Sequence, residues 1–124
     1  MKVVIYCRVG NPSQLAPEGL DRQEEQLKEY CRKHGYEVVK VFREQISGNK
    51  QPGPELQKVM KMITVKEADG IVIQDLSRIS RDMHKFFSFE AFLKENGAKL
   101  IDSKLGLMDY SKGVTLTTYE RRRG

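Results

Sequence analysis

Four arginines and four serines occupy positions where a fold could gather them around a phosphate: Arg8, Arg43, Arg78 and Arg81, with Ser13, Ser47, Ser77 and Ser80. Guanidinium groups hold phosphate oxygens through paired N–H donors and stabilise charge that develops in a transition state. A serine hydroxyl beside them could attack phosphorus, provided its proton is removed and the phosphate charge is neutralised. The chemistry this set suits is phosphoryl transfer. Taken singly, each arginine reads better as a solvated surface residue or an ion-pair partner. The functional reading holds only if several of them converge on one edge of the fold. His34 and His84 fall on helical patterns without a partner that would suggest acid–base work. Cys7 and Cys31 lack CxxC spacing and any neighbouring His/Cys cluster, so no metal site is expected. Free thiols in a reducing cytoplasm are the plain reading.

The elements that must position these residues alternate between strand and helix. Val3, Val4, Ile5 and Tyr6 form a short β-branched run of buried-strand type. A polar loop with Pro12 and Pro17 is predicted over 11–19, and a helix over 20–34, with Leu27, Tyr30 and Cys31 on one face. Asp21 suits the positive end of that helix and Gly35 its stop. A second strand is predicted over 36–42, then a turn-rich loop over 44–53. Pro54 opens a helix whose Leu56, Val59, Met60 and Ile63 fall at i, i+3, i+4 and i+7. Ile71-Val72-Ile73 is a third strand, followed by an arginine-bearing connection over 75–81. Ser80 is a candidate cap for a third helix over 82–96, which Gly97 ends. A fourth strand covers 98–101, and the tail from Asp102 onward is indefinite, broken by Gly106 and Gly113.

This alternation predicts an α/β fold: a three-layer α/β/α domain with a central, mainly parallel sheet of four or five strands. In such sheets function gathers where loops leave the carboxyl ends of the strands, which here are the loops bearing Arg8, Arg43, Arg78 and Arg81. At 124 residues the chain suffices for one domain. Its composition, 39% hydrophobic and 31% charged, is that of an ordinary globular protein. No apolar run approaches the length of a membrane helix or a secretory signal, so no membrane partner is expected. A net charge of +5 permits a polyanionic partner without demonstrating one. Arg121, Arg122 and Arg123 add a basic terminus. Of the aromatic and sulfur-bearing residues, Met60, Phe86 and Phe87 are expected in the core. Phe86, Phe87, Phe89 and Phe92 span too much of a helix circumference to face one sheet, which leaves room for self-association.

Read in order, these blocks resemble the catalytic domain of resolvase/invertase-type serine recombinases. Val3-Val4-Ile5-Tyr6-Cys7-Arg8-Val9, a polar loop with Gln14, then Leu20-Asp21-Arg22-Gln23 is similar to the family's opening of strand, arginine, loop and Leu-x-x-Gln. Ser47-Gly48 matches the Ser-Gly after the second strand. Asp69-Gly70-Ile71-Val72-Ile73 leading to Leu76-Ser77-Arg78-Ile79-Ser80-Arg81-Asp82 resembles the strand followed by Leu-Asp-Arg-Leu-x-Arg. Tyr119-Glu120-Arg121-Arg122-Arg123 resembles part of a long dimerisation helix. The resemblance implies site-specific DNA recombination through a 5′-phosphoserine link, a reaction that needs no metal or nucleotide cofactor. It implies phosphate-binding roles for Arg8, Arg78 and Arg81, a polar active-site role for Gln23 and a supporting hydroxyl at Ser47. It implies DNA as partner, with Arg121, Arg122 and Arg123 as further contacts, and a homodimer or higher homo-oligomer. It places the chain in the cytoplasm as part of a mobile or integrating element. The domain-like part is expected over 1–110 and the start of a dimerisation-helix-like tail over 111–124, with no separate DNA-binding module in this stretch. A complete recombinase of this type needs a longer helix and such a module, which points to either a shortened chain or a stand-alone relative.

Three positions depart from the pattern. The nucleophile position, two residues after Arg8, is Gly10; the acidic residue before the first arginine of the second block is Ser77; the arginine before the second helix is Gly53. Together they suggest a retired active site, with cleavage impaired or absent. Ser13 could substitute only if it reached attack geometry, since a misplacement of about 1 Å can cost on the order of 100-fold in rate. Two functions therefore stand as expectations: a serine recombinase catalytic domain weakened in cleavage, and a non-catalytic relative that binds DNA, dimerises or tempers an active recombinase partner. A phosphate-binding regulatory domain related only by fold is a third, but it leaves Arg8 and Arg78-x-x-Arg81 together unexplained.

Overall fold

The computed structural model describes residues 1–10 and 12–109, with the side chains of 12–18 left out. The expected tail over 111–124, with Arg121, Arg122 and Arg123, and the side chain of Ser13 therefore lie outside the described residues.

Strand β1 (Lys2–Val9) runs up the middle of the domain, and every residue from Val3 to Val9 is buried. Helix α1 (Pro12–His34) leads to β2 (Glu37–Gln45), and a single 3-10 turn (Gly48–Lys50) precedes helix α2 (Pro54–Thr64). Strand β3 (Gly70–Ile73), a second 3-10 turn (Leu76–Arg78), helix α3 (Met83–Glu95) and the β4–β5 hairpin (Lys99–Asp102, Gly106–Asp109) complete it. The sheet order is β2-β1-β3-β4-β5, parallel except for the antiparallel pairing of β5 on β4. This is the three-layer α/β/α architecture expected from the sequence, at five strands.

The period of two along β1 explains the layers. Val3, Ile5, Cys7 and Val9 face a cluster with Leu20, Leu27 and Cys31 of α1, while Val4 and Tyr6 face one built on α2 and α3. Leu56, Val59 and Ile63 are buried as their spacing predicts, with Met60 packed beside them. Phe86 and Phe89 are buried, and Phe87 and Phe92 pack partly buried against the same cluster, so all four aromatic residues of α3 contribute to this core. Both cysteines are buried free thiols. Burial pushes the Cys7 thiol up to about 12 and Cys31 to about 11, well away from reactive thiolate character. Among the described residues, no helix is long and apolar enough to cross a membrane.

Several local expectations are corrected. The stretch predicted as a loop over 11–19 is helical from Pro12, because proline is accommodated in a first turn, where its missing N–H is an orphan in any case. Asp21 is consequently well inside α1 and not near its start; its carboxylate instead accepts from Arg43 Nη2 at 2.6 Å. Asp82, not Ser80, caps α3, accepting from the backbone N–H of His84 and Lys85. The tail is not indefinite after Asp102. Asp102 Oδ1 accepts from the backbone N–H groups of Lys104 (2.7 Å) and Leu105 (3.0 Å), closing a turn into β5. Gly106 takes up β5 with φ at +96°, a conformation open to glycine, so the residue read as a breaker starts a strand.

Asp102 is only 1% exposed, and its Oδ2 has no hydrogen-bond partner among the described residues. Burial raises its pKa, assisted by the nearby Asp75 and opposed by the turn N–H groups. The native state therefore holds this proton more tightly than the unfolded chain does. Its contribution to stability is fully present below the ordinary carboxylate range and fades as pH rises through the elevated native value. Asp102→Asn keeps an acceptor for the turn and removes the buried charge. The variant is expected to match or exceed the parent Tm at pH 8 and to lose that advantage on acidification, as a Tm-versus-pH series would show.

Candidate functional site

The chain crosses from β2 back over β1 to reach β3, so the order reverses between β1 and β3, and their carboxyl ends open a crevice there. Arg8 is the penultimate residue of β1 and sits at that reversal, 5% exposed. Its guanidinium ties the 3-10 turn after β3 to the loop after β2. Nε donates to the carbonyl of Arg78 (2.6 Å), Nη1 to that of Ile46 (2.7 Å) and Nη2 to that of Ser77 (2.6 Å). Burial lowers its pKa, and the charges of Arg78 and Arg81 act in the same direction while Tyr6 and Glu44 oppose them. Gln23 of α1 fixes the backbone of the same residue from the other face. Its Oε1 accepts from Arg8 N (3.2 Å) and its Nε2 donates to Arg8 O (3.1 Å).

Arg78 stands beside Arg8. Its Nη1 donates to the Arg8 carbonyl (3.2 Å), its Nη2 to Gln74 Oε1 (2.7 Å), and its Nε lies 3.7 Å from Asp75 Oδ2. Asp75, two residues before Ser77, is the carboxylate beside Arg78. Its side chain accepts from the Ser77 backbone N–H and hydroxyl, capping the 3-10 turn, while pairing with Arg78 and Lys104. Burial alone would raise its pKa, but the Ser77 hydrogen bonds and the two cations outweigh burial and hold it below the usual value. Arg81 is exposed and, among the described residues, makes no hydrogen bond or ion pair. Its backbone N lies 3.6 Å from where a β-carbon on Gly48 would stand.

The structure thus brings Arg8, Arg78, Arg81, Gln23, Gly10 and the Ser47-Gly48 loop to one edge. Ser47 has a local duty, accepting from Asn49 N (3.2 Å) to cap its 3-10 turn. Ser80 ties that loop to the next: its hydroxyl donates to Gly48 O (2.9 Å) and accepts from Asp82 N (3.0 Å). Arg43 does not join the group, since it faces Asp21 and Glu24 of α1. At Gly10, an added β-carbon would meet, among the described residues, Arg8 Nη1 at 3.5 Å, an ordinary contact. Gly53 differs. An added β-carbon there would lie 2.3 Å from Glu44 Oε1 and 2.9 Å from Ile46 Cδ1.

Glu44 belongs to a buried network that sequence reading passed over. Its Oε2 accepts from the Tyr6 hydroxyl (2.6 Å) and its Oε1 from Glu55 N (3.0 Å). Gln51 Nε2 donates to the Tyr6 oxygen (2.8 Å) and to Arg78 O (3.3 Å), and Gln51 Oε1 accepts from Gly53 N (2.6 Å). Burial and the Glu44 hydrogen bond drive the Tyr6 pKa far upward, so the phenol stays protonated as the donor. Alternation along β1 puts Tyr6 on the side opposite Cys7, which is a signal for its placement. Nothing comparable announces Glu44 or Gln51. Among the described residues, no three His, Cys, Asp or Glu side chains gather as a metal-holding group.

Comparison with known proteins agrees with this geometry. The family described as "Resolvase, N terminal domain" matches residues 3–118. A resolvase of Clostridium perfringens (strain 13 / Type A) is 31% identical over 109 residues, spanning 88% of this chain and 52% of that protein. The chain thus covers about half the length of such a curated relative. Among solved structures, the C-terminal catalytic domain of ISC1926 TnpA, an IS607-like serine recombinase, is 29% identical with a TM-score of 0.76, over 83% of this chain and 67% of that one. The N-terminal catalytic domain of TP901-1 integrase shares the fold at 22% identity and a TM-score of 0.78, over 99% of this chain and 89% of that one. With the arginine-bearing loops meeting where β1 and β3 part, and the match running nearly end to end, the chain belongs to the resolvase-type serine recombinase family and carries its N-terminal catalytic domain fold.

Proposed function

We propose that this domain grips a DNA phosphate with Arg8, Arg78 and Arg81 but does not cut the strand, because Gly10 stands where the family's nucleophile belongs. The observation that carries the reading is the meeting of Arg8 and Arg78, each donating to the other's main-chain carbonyl, with Gly10 against Arg8 Nη1 and Arg81 exposed alongside. Gln23 and Gln51 hold the arginine-bearing backbone in place, a positioning role, and the reaction class calls for no metal or cofactor. Ser47 and Ser80 are committed to loop contacts, which argues against either as a replacement attacker. On this reading the chain acts as a non-cleaving, DNA-binding recombinase relative, self-associating as a dimer or higher oligomer, or pairing with an active recombinase to temper it. Its setting is cytoplasmic, in the recombination or integration of a mobile element.

The test uses an end-labelled duplex library, denaturing quench and gel analysis, with binding followed by anisotropy. The parent chain is expected to bind without forming a covalent adduct, and Arg81→Ala is expected to weaken binding and reduce its salt dependence by about one phosphate contact. Gly10→Ser fits the space, so it should leave Tm unchanged and supply the hydroxyl needed for an adduct at 5′ ends. An adduct formed by the parent chain would overturn the non-cleaving reading. Binding indifferent to Arg81 would overturn the phosphate grip.

A further inference from the structure

The N-terminal halves of α2 and α3 stand apart over the sheet and leave a cavity of about 250 Å³ between them. Leu56 and Met60 of α2 line one side at i and i+4, and Lys85, Ser88 and Phe89 of α3 line the other at i, i+3 and i+4. Gln51 and Ile79 enter from the loops that precede the two helices. Leu56, Ile79 and Phe89 are buried and make an apolar floor, while Pro52 and Ser88 are exposed and mark the mouth. An apolar cavity of about 150 Å³ holds a benzene ring, so this one has room for a ring and a short chain. None of Arg8, Arg78 and Arg81 lines it.

Two polar groups here have donors to spare. Lys85 Nζ gives one N–H to the Gln51 carbonyl (2.8 Å), and an ammonium carries three. Among the described residues Lys85 pairs with no carboxylate, and the Ser88 hydroxyl makes no hydrogen bond. A cation without a counter-charge, at the mouth of an apolar cavity, favours an anion over a neutral group. The floor favours an apolar body. A free phosphate would answer the first and leave the second uncovered, whereas a ring bearing a carboxylate answers both.

We infer that this cavity binds a small aromatic carboxylate, its ring against Leu56, Ile79 and Phe89 and its carboxylate accepting from Lys85 Nζ and the Ser88 hydroxyl. The site goes beyond the phosphate grip and does not depend on it. Gln51 joins the two places: its Nε2 donates to the Tyr6 oxygen and to the Arg78 carbonyl, so an occupant touches the residue that braces the arginine-bearing turn.

The experiment titrates three probes into the isotope-labelled chain and follows backbone amide shifts. The probes are hydrocinnamate, hydrocinnamyl alcohol, which has the same body without the charge, and acetate, which has the charge without the body. Hydrocinnamate is expected to bind about tenfold tighter than the alcohol, the gain of roughly one charge-assisted hydrogen bond over a neutral one. Its shifts should centre on Lys85, Ser88 and Phe89, and acetate should show no saturable binding. Lys85→Met keeps the apolar stem and should erase the preference for the acid while leaving the affinity of the alcohol unchanged. Ser88→Trp sets an indole across the mouth and should abolish binding of both, with Tm confirming that each variant is folded. Arg81→Ala should bind hydrocinnamate as the parent does. Equal affinity of the parent for acid and alcohol, or no binding of either, overturns the inference. So does hydrocinnamate binding that survives both cavity variants or is lost with Arg81. All of these outcomes are read without DNA and leave the phosphate grip to its own test.

Discussion

Arg8→Ala is expected to destabilise the domain by about 2–5 kcal/mol, more than any substitution at an exposed arginine, because it takes a donor from three carbonyls at once, of which that of Arg78 keeps Gln51 Nε2. The carbonyls of Ser77 and Arg78 leave one 3-10 turn and that of Ile46 leaves the loop after β2, and all three meet at this guanidinium. Each buried acceptor left without a donor costs roughly 1–3 kcal/mol, and water entering the crevice recovers part of the sum. Lysine is no rescue, since one ammonium cannot span the three directions that a planar fork reaches. Urea unfolding of Arg8→Ala, Arg8→Lys and Arg81→Ala separates the roles. The first two should lower the midpoint strongly, while Arg81→Ala should stay within about 0.5 kcal/mol of the parent and lose anion binding alone. An Arg8→Ala domain as stable as the parent would show that the loops are held by something else.

Gly53→Ala should cost about 3 kcal/mol, an unusual toll for one methyl group at a helix N-cap. Gly53 has φ −78° and ψ 176°, which alanine adopts freely, so the cost is not conformational. It comes from Glu44, whose carboxylate would stand 2.3 Å from the new carbon while tied to Tyr6 and to Glu55 N. Moving it away breaks two hydrogen bonds of a buried, charged group. A double-mutant cycle with Glu44→Ala isolates the clash: much of the penalty should vanish in the Glu44→Ala background, giving a coupling of about 1–3 kcal/mol. Additive effects would mean that the carboxylate has room to retreat.

The arginine cluster was legible because its members sit at strand ends, and strand ends of a parallel sheet converge wherever the order reverses. Arg8 follows an unbroken apolar run and Arg78 follows Ile71-Val72-Ile73, so the alternation that fixed the strands also fixed the meeting place. What Arg8 does there was not legible. A sequence cannot say that three of its N–H groups go to main-chain carbonyls, because those acceptors carry no residue type. The Glu44–Tyr6–Gln51 network escaped for a related reason: a glutamate at the end of a half-exposed strand looks like surface until the tyrosine across the sheet claims it. The start of α1 and strand β5 were missed because Pro12, Pro17 and Gly106 are read as punctuation. Proline at a first position, as at Pro12, and glycine at a positive φ, as at Gly106, both belong inside regular elements when geometry calls for them.

The carboxylate packed against Gly53 makes two of the three departures from the family pattern unequal in what a larger side chain would cost. At position 10 a β-carbon would make only an ordinary contact among the described residues, with Arg8 Nη1 at 3.5 Å. Position 53 could not regain a long side chain until Glu44 had first been shortened or redirected, and that prior change would loosen Tyr6 and the turn at Gln51. Position 53 is thus locked to glycine by its neighbour, through the 2.3 Å at which a β-carbon there would approach Glu44 Oε1.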